Sequence, residues 1–220
     1  MLVSSGLNNF VLQRLFMNVS KNGHLMKNYH FSYFRAPVTT YTDDDGRKVY
    51  ANLTPHCVVD VRQVYQLVSR DERMRELTRR VRAAPDMGLS KQRWLPFVTP
   101  CGTFSRRNCQ SLQELSGLLP IDIDKLASPQ EAARLRSALA ADPYLRPVLS
   151  FVSPSSCGVK CFLPYQVERI RRGDVSLLQL FQWAATYVDA MYGVAVDGSG
   201  KDVVRACFLC HDAEAVFHEE

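Results

Sequence analysis

From Leu118 onward the chain alternates strand-like and helix-like stretches in an order that few folds accommodate. Residues 118–124 read as a strand, with Ile121 and Ile123 on one face and Asp122 and Asp124 on the other. Ser128-Pro129-Gln130-Glu131 then marks a helix start, with a capping serine, proline at the first helical position and a glutamate to close the capping box. That helix runs to about Ala140, and Asp142-Pro143 breaks it. Residues 147–152 form a second strand, and a Ser/Gly turn over 153–158 leads into a third over 159–167. Residues 175–192 make a long helix closed by Gly193. A fourth strand region begins at 194–196 and resumes, after a glycine loop, over 203–210. The order β-α-β-β-α-β is the split βαβ arrangement, in which the first strand lies between the third and the fourth, antiparallel to both. The carboxyl end of the first strand then sits beside the amino ends of its neighbours. Asp122, Asp124, Lys160 and Asp197 are therefore expected to converge at one edge of the sheet.

The residue types at that edge have a chemistry. Two carboxylates one pleat apart bind one or two hard divalent cations through oxygen, and paired metals run in-line phosphoryl or nucleotidyl displacement. Taken alone, an Asp-x-Asp more often means a turn cap at Asp124 and a solvent-facing Asp122. The turn Ser153-Pro154-Ser155-Ser156-Cys157-Gly158 offers hydroxyls and backbone N–H groups that suit phosphate oxygens, and Lys160 adds a cation. An ordinary hairpin turn has the same composition. In Asp197-Gly198-Ser199-Gly200-Lys201, Asp197 is placed to complete a metal site and Arg205 to pair with a triphosphate. The spacing of a phosphate-binding P-loop is absent there.

The first half of the chain is less pointed. Residues 1–28 are a weakly amphipathic lead-in. A hairpin is expected over 38–53, with Asp43-Asp44-Asp45-Gly46 as a solvated turn tip. Residues 59–84 read as two helical pieces; in the second, Met74, Leu77 and Val81 share one face and Arg75, Arg79 and Arg82 another. Residues 85–90 read as a loop, 91–99 as a strand weakened by Pro96, and 102–107 as strand or loop. Between Arg62 and Arg107 eleven Lys/Arg face four Asp/Glu, whereas the C-terminal end carries Asp212, Glu214, Glu219 and Glu220. Such a basic stretch suits a phosphate-rich partner; any one of its arginines is equally at home on a solvated helix face. Cys207 and Cys210 read as buried thiols rather than zinc ligands, because no second ligand pair follows at finger-like spacing. His211 and Asp212 are expected at the surface, and Trp94 and Trp183 in the core.

The segments "IDIDKL", "SPSSCGVK" and "VDGSGKDVVRACFLCHD" resemble, in order and spacing, the three motifs of primase-polymerases of the archaeo-eukaryotic primase superfamily. The closest likeness is to the virulence-protein-E-like N-terminal domain of bacterial mobile elements. "LPFVTPCGTFSRRNCQSLQELSGL" is similar to that family's lead-in, and the resemblance covers roughly residues 30–215. It implies an α+β fold: an RRM-like catalytic unit over 111–220 joined to an N-terminal αβ unit over 29–110. By the same likeness Asp122, Asp124 and Asp197 hold Mg²⁺ or Mn²⁺, and Ser153, Ser155, Gly158, Lys160 and Arg205 hold the incoming nucleotide. The resemblance also implies a single-stranded DNA or RNA template along Arg75, Arg79, Arg82, Lys91, Arg93 and Arg106, nucleoside triphosphates as substrates, and a separate helicase partner. Two positions depart from the family pattern: Lys160 stands where histidine is usual, and Ser156 where glycine is usual. Lysine still neutralises a phosphate, so the first departure bears on catalysis more than on binding. Two functions follow: a metal-dependent nucleotidyltransferase of a mobile-element or plasmid replication system, or a catalytically inactive nucleic-acid- or nucleotide-binding module of the same fold.

Composition bounds the setting. No apolar run approaches the length of a bilayer span, and the N-terminus lacks a basic leader followed by an unbroken apolar stretch. Seven cysteines with no such leader read as reduced thiols. A cytoplasmic protein without a membrane partner is expected.

Overall fold

The computed structural model describes residues 29–219, so the lead-in over 1–28 lies outside the described residues. Strand β1 (His30–Phe34) is followed by a hairpin of β2 (Tyr41–Thr42) and β3 (Lys48–Val49). At its tip the Asp43 carboxylate accepts the N–H groups of Asp45 and Arg47 at 3.1 and 2.8 Å, so the acidic triplet is a turn tip, as its composition indicates. Strand β4 (Cys57–Asp60) runs directly into helix α1 (Val61–Arg70), which Asp60 and Gln63 start with a reciprocal capping box. Asp71 ends that helix and caps α2 (Glu72–Arg82) through the Met74 N–H at 2.6 Å, which divides the helical stretch in two.

A third helix, α3 (Met87–Trp94), replaces the loop and early strand expected over 85–96. Asp86 caps it by accepting the Leu89 N–H at 2.9 Å, and the Arg80 guanidinium lies over the Trp94 ring at 4.5 Å, joining α3 to α2. Strand β5 (Phe97–Thr99) begins only after Pro96 has stopped the helix. Next come the hairpin β6 (Gly102–Phe104) and β7 (Leu112–Leu115), then β8 (Leu118–Ile123). Helix α4 (Pro129–Ala140) starts on Ser128, whose hydroxyl accepts the Glu131 N–H; the Glu131 carboxylate reaches the Ala127 N–H rather than closing a box on Ser128. Strands β9 (Leu149–Val152) and β10 (Val159–Pro164) precede the short α5 (Val167–Arg171) and the long α6 (Leu177–Tyr192), which Gly193 closes at φ +66°. Strands β11 (Cys207–Phe208) and β12 (Val216–Phe217) end the described chain.

The fold is α+β, with two four-stranded antiparallel sheets ordered β11-β5-β1-β4 and β12-β9-β10-β8. Within the second, β8 pairs with β10 as expected, but no fourth strand lies on its other side. Asp197 makes a single bridge there, its N–H donating to the Asp122 carbonyl at 2.7 Å, and then caps a 3-10 turn over Gly198–Lys201. That turn carries the chain out of the sheet. The expected last strand over 203–210 shrinks to β11 and joins β5 in the other sheet instead.

Alternation along the strands sorts the core. Leu119, Ile121, Ile123, Val159, Cys161 and Leu163 face Leu135, Leu139, Leu180, Ala184 and Val188 of α4 and α6. On the other face Leu118, Leu149, Phe151 and Phe162 meet Phe31, Val98 and Cys207 of the first sheet, with Phe162 edge-on to Phe31 at 6.0 Å. Each such large apolar side chain contributes about 1.5–3 kcal/mol when fully buried. The second sheet is therefore enclosed on both faces. Asp122 and Lys160 lie in the register of the apolar face that meets the first sheet. Among the described residues no helix is long and apolar enough to cross a membrane.

Candidate metal centre

Asp122 and Lys160 are directly opposite one another on β8 and β10, with Phe151 opposite Lys160 on the far side. Cross-strand partners share a face, and the Lys160 ammonium contacts Asp122 Oδ2. The Lys160 side chain is only 6% exposed. Burial on its own would lower its pKa, but the facing Asp122, with Cys207 and Asp124 nearby, outweighs burial and holds the lysine protonated above its ordinary range. The other oxygen, Asp122 Oδ1, is buried and has no hydrogen-bond partner among the described residues. A buried carboxylate oxygen left without a donor needs a partner, which a cation or an ordered water supplies.

Asp124 follows the last residue of β8, and Asp197 is fixed beside it by the bridge to Asp122 and by Gly200. A Cβ on Gly200 would come within 2.8 Å of the Phe181 ring of α6, so the 3-10 turn packs directly against that helix. The result matches the sequence expectation: Asp122, Asp124 and Asp197 bring one carboxylate oxygen each to within 4.8 Å of one another. Their electrostatics differ. For Asp197, burial would raise the pKa, but hydrogen bonds from the Ser199 hydroxyl and N–H and the charges of Arg205 and Lys160 hold it below the usual carboxylate range. Asp124 moves the other way, raised by the pocket walls and by the neighbouring Asp122 charge more than Lys160 and Lys91 lower it. Three carboxylates, one of them with an oxygen left without a partner, fit a hard divalent cation.

The expected phosphate turn forms the adjoining wall. A pocket of about 280 Å³ opens between Asp122, Asp124, Ser153, Ser155, Lys160 and Arg205, with Lys91 and Phe208 at its margin. Ser153 and Ser155 hydroxyls lie 2.9 Å apart, and the Ser153 N–H donates to the Gly158 carbonyl at 2.8 Å. A Cβ on Gly158 would fall 2.5 Å from the Ile123 carbonyl and 3.0 Å from Asp124 Oδ1, so only glycine lets the turn approach the carboxylates this closely. Ser156 takes φ +63°, a left-handed conformation that favours glycine.

The basic residues read as a template track are dispersed. Arg82 reaches into the centre from outside, its Nε donating to the Pro154 carbonyl at 3.1 Å and its Nη2 to the Ser153 carbonyl at 3.4 Å. It steadies the turn. Arg75 pairs with Glu72 and donates to His211, and Arg79 pairs with Glu76, so each arginine of the shared face takes different partners. Arg93 lies over the Tyr41 ring at 4.5 Å, and Arg106 is exposed. Of the six, Lys91 alone lines the pocket.

Cys207 and Cys210 are buried thiols, each pushed up to about 12 by burial. Asp212 is not at the surface: its carboxylate takes both Arg136 Nη1, at 3.1 Å, and the Val152 N–H, at 2.8 Å. Arg136 itself is missed by the sequence reading, although helical spacing from Ala132 to Ala140 places it on the buried face of α4. Trp94 and Trp183 are only partly buried at the core margins.

A family model described as BT4734-like, N-terminal domain matches residues 90–217, more than half of the chain and all three motif segments. The chain belongs to that family. Neither the curated proteins nor the solved structures contain a match.

Proposed function

We propose that this member of the BT4734-like N-terminal domain family is a metal-dependent nucleotidyltransferase of the primase-polymerase kind, serving a mobile-element or plasmid replication system. The observation that carries the reading is the Asp122 carboxylate, with its buried, unpartnered Oδ1, gathered with Asp124 and Asp197 beside a pocket edged with hydroxyls and cations. Strand order β9-β10-β8, with α4 and α6 on one face, supports an RRM-like unit at its centre. Asp122, Asp124 and Asp197 would hold Mg²⁺ or Mn²⁺. Bound there, the ion supplies activation of an attacking 3′-hydroxyl and stabilisation of the pyrophosphate leaving group. Ser153 and Ser155 offer hydroxyls to phosphate oxygens, Arg205 offers a guanidinium fork to the triphosphate, and Arg82 keeps the serine turn in place. Lys91 contributes positive charge at the mouth, where a template backbone would pass.

One observation favours a second reading, a nucleotide- or nucleic-acid-binding module without chemistry: the Lys160 ammonium is already engaged with Asp122. Template-dependent incorporation of labelled nucleotides with Mg²⁺ or Mn²⁺ separates the two. Incorporation by the native chain, lost in Asp122→Asn and Asp124→Asn, supports the enzyme. Nucleotide binding with no incorporation selects the module, and absence of both rejects the reading altogether.

A further inference from the structure

We infer that Lys160 is a built-in cation that takes the place of one metal, so that the centre binds a single divalent ion. The inference rests on the cation-binding reading above and concerns how many ions that centre accepts. A carboxylate that joins two metals through both of its oxygens gives one to each. Asp122 has only one oxygen to give, because its Oδ2 carries the Lys160 ammonium while Oδ1 has no partner among the described residues.

Lys160 is poorly placed to yield. It sits on β10, paired on both sides with β8 and β9, so its backbone cannot withdraw without opening the sheet. Its side chain is enclosed, and Asp122 is the one hydrogen-bond acceptor its ammonium meets among the described residues. Leaving Asp122 would strand a buried charge. Asp197 offers little to a second ion either, since its oxygens are held by Ser199 and Arg205. What remains is one set of donors for one ion: Asp122 Oδ1, Asp124, which makes no ion pair among the described residues, and the lone pairs that Ser199 and Arg205 leave on Asp197. Charge agrees: Lys91, Lys125, Lys160 and Arg205 already stand around Asp122, Asp124 and the adjoining Asp197, so a second divalent ion would load a large excess of positive charge into a pocket of about 280 Å³.

Counting bound Mn²⁺ by electron paramagnetic resonance during titration of the full chain, with no nucleotide present, tests this without reference to activity. The native chain and Lys160→Arg should each bind one ion. Lys160→Met, which frees Asp122 Oδ2, should bind two, the first at least about tenfold more tightly than in the native chain. Circular dichroism establishes that each variant is folded; if Lys160→Met is not, the counts for the native chain and Lys160→Arg still decide. Two ions on the native chain overturn the inference and leave the cation centre standing. No ion on the native chain overturns both. An unchanged count and affinity in folded Lys160→Met also overturns the role given to Lys160.

Discussion

Asp122 and Asp142 are both aspartates set in the hydrophobic part of the molecule, yet their surroundings could hardly differ more. Asp142, in the corner after α4, accepts the N–H groups of Tyr144 and Leu145 and the hydroxyls of Tyr187 and Tyr192, at 2.6 to 2.9 Å. Both its oxygens are satisfied, and the two tyrosines tie α6 to that corner. Asp122 has one cation on one oxygen and nothing on the other. A saturated carboxylate is a structural joint; an unsaturated one, held rigidly on a strand, is a binding group. Asp212 belongs with Asp142, being saturated by Arg136 and backbone N–H groups.

The largest expected effect tests the saturated side. Asp142→Ala strands two tyrosine hydroxyls and two N–H groups and should cost about 4 kcal/mol, lowering the melting temperature by about 10 °C. Mn²⁺ binding by the folded variant should be unchanged, and its loss would erase the distinction drawn here. Asp122→Asn should cost less, about 2 kcal/mol, since the amide oxygen still accepts from Lys160. Combining it with Lys160→Met should recover stability to within about 1 kcal/mol of the native chain, because removing both members of a buried pair is far cheaper than removing one. Urea unfolding of the single and double variants measures the coupling.

Smaller effects sharpen the contrast. Burial and Asp142 raise the pKa values of Tyr187 and Tyr192 above the ordinary 10.0. The folded state therefore keeps protons that the unfolded chain releases. Their contribution is fully present below pH 10 and is lost as pH rises above it, by about 2–4 °C in melting temperature between pH 10 and 11. Tyr192→Phe should flatten that slope. For Asp124 the raised pKa has the opposite meaning at neutral pH: the charged form is disfavoured in the fold. Asp124→Asn should raise the melting temperature of the metal-free chain slightly, by about 1–2 °C, while Mn²⁺ affinity falls.

Much of the centre was legible before any coordinates because its parts obey local rules. Period-two alternation separates Ile121 from Asp122, and Ser128 and Gly193 mark helix ends through capping chemistry. What was not legible depends on partners far along the chain. Nothing local to residues 203–210 says that they leave the sheet after one bridge, because that follows from the Asp197 cap and from Gly200 packing on Phe181. Helix α3 falls where a loop and the start of a strand are expected, because the strand composition of Leu-Pro-Phe-Val-Thr extends the strand reading back to Lys91, while the helix's stabilising contact, Arg80 on Trp94, is tertiary. The arginines of α2 share a helical face in projection, yet each is claimed by a different neighbour. Family membership over 90–217 covers the motif segments and leaves the first sheet's opening strands outside.

Pairing of β11 with β5 has a bearing on how the polypeptide is made. As the chain emerges from the ribosome, the edge of β5 lacks its neighbour until residues 207–208 have been synthesised. Until then an unpaired strand edge and the apolar side chains of Phe97 and Val98 are exposed to other nascent chains. Translation of nearly the entire described sequence thus precedes closure of its earliest sheet, and a truncated product ending before Cys207 is the form most prone to aggregate.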